Sequence, residues 1–253
     1  NILPVGSDEG GLELPIPWMI RAESGLSFGE RQLRTPSIVN RNPNQGDLLM
    51  VGEEELIQFP DNVRGSSGIV LDLQSLPPMN DAELESILVS LSSHLESSAL
   101  ILLKDGVDRV ESLFRLVVDL DLDGAIVSVA APGGGKAAAA LPRIGLASRA
   151  MGLDSQRRIV GIELDKQPSA EDLIIGRASG CSFIVGPIDE ENDILDVGTT
   201  IVPEIIGIMK EVGLSNFHNV GRRILRAKNM ETAAISGLRL VGFERPLPMW
   251  LGN

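Results

Sequence analysis

Residues 99–129 read ALILLKDGVDRVESLFRLVVDLDLDGAIVSV, and the fold is decided there. Ala99–Leu103 is an aliphatic run ended by the charges of Lys104 and Asp105, and Ala125–Val129 is a second such run. Between them Val107, Val110, Leu113, Phe114, Val117 and Val118 recur at the spacing that puts one apolar stripe on a helix over Val107–Leu120. Strands that are apolar on both faces and separated by a helix read as parallel βαβ units, because helices then cover both faces of the sheet.

The same unit repeats outward. Downstream, Ile159–Leu164 and Ser182–Gly186 are further runs, with helices expected over Leu141–Met151, Ala170–Ala178 and Ile201–Val212. Upstream, Gly68–Leu73 is followed by a helix over Ala82–Leu95 with Asn80 or Asp81 as its cap. Ile16–Ala22, Pro36–Val39 and Leu48–Val51 are shorter candidates whose connections leave no room for full helices, Gly52–Ile57 supplying one turn at most. Eight strands are the number that closes a barrel. The expected class is α/β, a (β/α)8 TIM barrel regular from strand four onward and abbreviated in its first half; an open doubly wound sheet is the alternative. Residues 1–253 form one domain in this reading: an irregular lead-in over 1–14, the barrel over 15–212, and C-terminal helices and a tail over 213–253. Val220–Lys228 and Met230–Ile235 are the expected short helices, and Gly237–Asn253, with Pro246, Pro248 and Trp250, is expected outside the barrel wall.

Composition narrows the function. Aromatic residues are 3% of the chain and Tyr is absent, so an aliphatic core suits the packed interior of a parallel barrel. A net charge of −13 argues against nucleic acid or an anionic membrane as the main partner. Cys181 is the single cysteine, which excludes an internal disulfide and a multi-cysteine metal site from this chain alone. His94 and His218 show no metal-ligand spacing. No apolar run approaches the ~18 residues of a membrane span. The chain begins at Asn1 without Met, and a processed product or excised domain is expected. The soluble phase of the cytoplasm or of an organelle is expected, with membrane association only through a partner or missing segments.

Ligands of parallel barrels bind at the carboxyl ends of the strands. The residues there are Arg21 and Glu23, Asp72 and Gln74, Lys104 and Asp105, Ser128 and the loop Ala130–Lys136, then Glu163, Asp165 and Lys166, and Pro187–Asp193. The loop Ala131-Pro132-Gly133-Gly134-Gly135-Lys136 is the sharpest local feature. Its three glycines let backbone N–H groups converge on an anion, and Lys136 adds charge. It lacks the spacing and the Ser or Thr of a nucleoside-triphosphate loop. Gly133, Gly134, Gly135 and Lys136 are the candidate cofactor-binding residues. Lys104 is the candidate catalytic residue, as a strand-end lysine able to form a Schiff base in a lyase or aldolase.

The order Lys104-Asp105-Gly106-Val107, Asp123-Gly124-Ala125-Ile126-Val127, Gly133-Gly134-Gly135, Leu141-Pro142 and Gly176-Arg177-Ala178-Ser179-Gly180 resembles the FMN-binding barrel of glutamate synthase. Pro17-Trp18-Met19-Ile20 and Ser27-Phe28-Gly29 resemble that family's opening strand and turn. The resemblance implies an FMN-dependent oxidoreductase barrel. In that family glycine-rich turns after the seventh and eighth strands hold the flavin phosphate, and three cysteines after the eighth hold an iron–sulfur cluster. Here the two turns carry Glu163, Asp165, Asp189, Glu190, Glu191 and Asp193 against Lys166, and no cysteine follows Gly186. The acidic group lacks the alternation of a calcium loop, so no metal is expected. The expectation is therefore a degenerate flavin barrel without a bound cofactor, acting as a structural or regulatory component of an assembly with a protein partner or with copies of itself. An active FMN oxidoreductase is the alternative.

Overall fold

A computed structural model describes residues 2–4, 13–15, 18–24, 37–63, 65–129, 137–188 and 194–244. Two short strands, β1 (Ile2–Pro4) and β2 (Glu13–Pro15), pair antiparallel ahead of the barrel. An irregular lead-in was the expectation there, and three-residue strands carry too few positions for a period to be read. Eight parallel strands then close on themselves: β3 (Trp18–Ser24), β4 (Ser37–Arg41), β5 (Leu48–Val51), β6 (Gly68–Asp72), β7 (Leu100–Gly106), β8 (Gly124–Ser128), β9 (Ile159–Glu163) and β10 (Phe183–Gly186). β10 pairs back onto β3 with Val185 opposite Met19, which completes a (β/α)8 barrel and rules out the open sheet.

Helices follow every strand from β6 onward: α2 (Asp81–Ser92), α3 (Val110–Asp119), α4 (Ala137–Met151), α5 (Ala170–Ala178) and α6 (Ile194–Glu211). Asn80 caps α2 by accepting the Glu83 N–H at 2.9 Å while Glu83 accepts the Asn80 N–H at 2.9 Å. In the first half the connection from β4 to β5 is abbreviated as expected, while that from β3 to β4, residues 25–36, lies outside the described residues. Only a turn over residues 42–47 joins β4 to β5, and buried Asp47 ties it together by accepting the Asn44 N–H at 2.8 Å. Between β5 and β6, however, α1 (Glu53–Asn62) runs for ten residues, where a single turn was expected. Three glutamates line the positive end of α1, and Glu55 accepts the Gly52 N–H at 3.0 Å; these outweigh Pro60 near its end. α6 likewise starts seven residues before the expected Ile201 and continues through Pro203. After it come a tight turn over 217–219, another over 222–224, where a helix over Val220–Lys228 was expected, and then α7 (Met230–Ser236).

Two apolar layers result. Inside the barrel sit Met19, Ile38, Leu48, Met50, Val70 and Leu102 with Ile126, Phe183 and Val185. Gly161 makes room for one of them, since a Cβ there would lie 2.4 Å from the Phe183 ring. Outside, strand residues such as Leu71, Leu103 and Val127 pack against Leu84, Leu113, Phe114 and Ile144 of the helices. Full burial of each such side chain stabilises by roughly 1.5–3 kcal/mol. Among the described residues, no helix is long and apolar enough to cross a membrane.

Candidate functional site

Side chains alternate along each strand between the barrel interior and the helix layer. Two positions beyond the interior residues Met19, Val70, Leu102 and Ile126, toward the carboxyl ends, stand Arg21, Asp72, Lys104 and Ser128. Glu163 stands in the same phase on β9. The register sets Asp72 opposite Lys104 and Ser128 opposite Glu163. The aliphatic interior is thereby capped by a charged layer.

Glu163 is the hub of this layer. It is 1% exposed, and its Oε2 accepts the Ser128 hydroxyl at 2.6 Å and lies 3.1 Å from Lys104 Nζ; Arg21 holds the other oxygen. Lys104, 4% exposed, also donates to Asp72 Oδ2 at 3.0 Å. Burial alone would push the Glu163 carboxyl up, but the Lys104 and Arg21 charges and the Ser128 hydroxyl together hold it below the usual carboxylate range. Two cations and two anions compensate one another. Desolvating such charges costs several kcal/mol per ion, and pairing offsets it only with good geometry, so an aliphatic cap would serve stability as well. A buried ionic layer at a barrel's carboxyl mouth is for that reason a site candidate.

Asp105 faces the other way. Its carboxylate accepts the Gly106 N–H at 2.8 Å and meets Arg109 at 3.3 Å. Burial raises its proton affinity above the ordinary value, and the Gly106 N–H and Arg109 only partly offset this. Lys104 and Asp105 are adjacent in sequence but belong to different layers.

Above the ionic layer, a cleft of about 320 Å³ opens on the side of β3 to β6. Arg21, Asn40, Met50, Gly52, Asp72 and Ser75 line it with the three glutamates that start α1. Arg21 spans both regions, with 35% of its side chain exposed in the mouth.

The turn after β9, the seventh barrel strand, is built differently from expectation. Glu163 does not stand among its carboxylates as an unmatched charge, because it points inward and is neutralised by Lys104 and Arg21. Lys166 is paired too, with its Nζ 3.0 Å from Asp172 Oδ2. That carboxylate also accepts the Ser169 N–H at 3.1 Å and the Ser169 hydroxyl at 2.8 Å, while Ser169 Oγ accepts the Asp172 N–H at 3.2 Å. Burial would raise the Asp172 carboxyl, yet the Ser169 N–H, Lys166 and the Ser169 hydroxyl hold it below its ordinary value. At the start of α5 the Ser169 and Asp172 N–H groups are therefore taken by the chain's own side chains, and a carboxylate stands beside them.

Of the strand-end candidates, Arg21, Asp72, Lys104, Ser128 and Glu163 are brought together. Glu23 accepts from Asn40 at 3.2 Å instead, and Gln74 lies in an exposed turn. Gly133, Gly134, Gly135 and Lys136 lie outside the described residues, as do Asp189–Asp193 and Trp250. Sequence reading missed Asn40, Ser75 and Arg109, which precede or follow the strand ends without a distinguishing pattern. Among the described residues no group of three or more His, Cys, Asp or Glu is arranged to hold a metal. Cys181 is buried, and burial pushes its thiol up to about 12.

No protein-family model matches the chain, and no curated protein matches it in sequence. Among solved structures it is similar to DHODH from Eimeria tenella, determined in complex with ferulenol, at a TM-score of 0.50 and 13% identity. The alignment covers 77% of this chain and 64% of that one, so the chain spans less than two thirds of its neighbour's length. At that identity the likeness is one of fold, and it agrees with the strand order in making this chain a (β/α)8 barrel.

Proposed function

We propose that the chain is a flavin-type barrel resembling that of glutamate synthase, that its own side chains have replaced the phosphate site after the seventh strand, and that it serves as a structural or regulatory component of a larger assembly. The observation that carries this reading is the start of α5. Barrel folds hold phosphate on backbone N–H groups at such helix starts. Here the Ser169 hydroxyl takes the Asp172 N–H, and the Asp172 carboxylate sits on the Ser169 N–H and on Lys166. An incoming phosphate would meet a carboxylate where it needs donors. At ~4 Å such a like-charge pair costs roughly 1 kcal/mol in bulk water and about 4 near a protein surface. The flavin phosphate and this turn do not fit each other. The barrel fold shared with the DHODH neighbour supports the architecture of this reading. Fluorescence titration with FMN tests it: no saturable quenching is expected, and a preparation that retains flavin or takes it up stoichiometrically overturns it.

A second reading, an active FMN oxidoreductase, is favoured by the buried ammonium of Lys104. A cation fixed at a barrel mouth is suited to stabilise negative charge on a reduced flavin ring, the redox chemistry being the cofactor's own. In that reading Lys104 and Arg21 would face the ring system, and the phosphate falls to Gly133–Lys136. A lyase reading requires Lys104 as a free amine, whereas its Nζ is engaged by both Asp72 and Glu163. Borohydride trapping with carbonyl compounds should accordingly leave Lys104 unlabelled.

A further inference from the structure

We infer that residues 221–243, outside the barrel wall, form a docking surface for a short acidic segment of a protein partner. The whole chain carries −13, yet residues 213–244 contain Arg222, Arg223, Arg226, Lys228 and Arg239 against only Glu231 and Glu244. The fold gathers this charge. The Ala227 N–H donates to Arg239 O at 2.8 Å and the Val241 N–H to Ala227 O at 3.0 Å, so the stretch with Arg226 and Lys228 runs beside that with Arg239 and Val241. α7, between the two stretches, packs on α4, whose last turn carries Arg149. Burial, and then the neighbouring Arg149 charge, holds the Arg222 guanidinium below its ordinary proton affinity, which marks two like charges in one place.

Two of these cations are held by backbone carbonyl oxygens. Arg222 donates to Ser236 O, and Arg226 donates to Arg223 O and Leu225 O, each at 2.7 Å. Among the described residues none of the basic side chains of this surface pairs with a carboxylate. Apolar side chains stand among them: Met230 is 67% exposed, Val241 59% and Phe243 57%. Aromatic and aliphatic contacts rimmed by charge describe a protein interface. A nucleic acid or an anionic bilayer brings many more negative charges near a chain at −13 than a short acidic segment does, and so meets the larger long-range repulsion. A short acidic segment with apolar residues matches the local charge and covers Val241 and Phe243. This holds whether or not the barrel mouth takes a flavin.

The test is fluorescence anisotropy on the full chain, with three probes: a labelled peptide alternating Glu and Leu, a single-stranded oligodeoxynucleotide, and phosphatidylserine vesicles. Saturable binding of the peptide is expected, weakened about tenfold by Arg223→Glu/Arg226→Glu/Lys228→Glu and several-fold by Val241→Ser/Phe243→Ser. Arg115→Glu, on α3, should leave it unchanged. If the triple variant melts at a lower temperature than the wild type, exposed Arg223→Glu alone should still weaken binding about two- to threefold. Absent peptide binding, binding that survives the charge reversals, or tighter binding of the oligonucleotide or vesicles would overturn the inference.

Discussion

Glu163→Gln is the most informative single perturbation of the ionic layer. The amide keeps an acceptor for the Ser128 hydroxyl, which now bonds Oε2 at 2.6 Å, but removes the anion facing both Lys104 and Arg21. Lys104 is then left with Asp72 alone at a site where it is 4% exposed. Removing one partner of a buried ion pair costs about 3–5 kcal/mol, and the retained hydrogen bond puts the expected loss near the bottom of that range, at about 3 kcal/mol. For a chain of this size each kcal/mol shifts the melting temperature by about 2–4 °C, so a fall of roughly 6–12 °C is expected by calorimetry at neutral pH. The pH dependence is a second readout. The Glu163 carboxyl is held below its unfolded value, so its contribution is complete above the unfolded value and fades as the pH falls through the lower, folded one. The gap between wild type and variant should therefore close in acid. Lys104→Met on top of Glu163→Gln should cost less than the two changes summed, because it withdraws the stranded cation. A melting shift under about 2 °C, or a gap that widens in acid, would refute Glu163 as the hub.

Asp105→Asn should raise the melting temperature at neutral pH. Burial makes the native carboxylate costly, while the amide can still accept the Gly106 N–H. Since the native carboxyl takes up a proton before the unfolded one, the wild type gains on the variant as the pH falls, and an advantage that grows in acid would contradict this. Gly124→Ala should destabilise by about 1–3 kcal/mol or more in denaturant unfolding, because a Cβ would lie 2.0 Å from the Ile159 carbonyl oxygen and force β8 and β9 apart; an unchanged midpoint would contradict it. Cys181, with its thiol pushed up to about 12, should resist iodoacetamide in the native chain and react only after denaturation, as followed by mass spectrometry.

The barrel was legible because its strands are apolar on both faces and its helices carry one stripe each. From Gly68 to Ala178, runs and stripes alternate without interruption, and the structure follows them within a few residues; α6 begins seven residues earlier than its stripe. α1 was underestimated because Pro60 reads as a stop, whereas the cap and acidic first turn that hold the helix act at its other end. The ionic layer was half legible. Every member was visible as a strand-end charge or hydroxyl, but which of them converge depends on phase. Counting in twos from Met19, Val70, Leu102 and Ile126 selects Arg21, Asp72, Lys104 and Ser128 and sets Asp105 aside. The neutralisation of Glu163 was not legible, since Arg21 is 142 residues away and meets it only when β10 and β3 close the barrel. Cap and turn chemistry at Ser169 and Asp172 can be read from the Ser-x-x-Asp spacing, but its pairing with Lys166 needs the folded turn.

Equilibrium dialysis of the wild type, Lys136→Glu and Lys166→Glu against FMN tests the central claim most directly. A barrel whose α5 start carries the Asp172 carboxylate should bind no FMN, and any residual binding of phosphate-bearing ligands should be lost with Lys136→Glu and survive Lys166→Glu. Stoichiometric FMN binding that Lys166→Glu abolishes and Lys136→Glu spares would place the phosphate after the seventh strand and contradict the account.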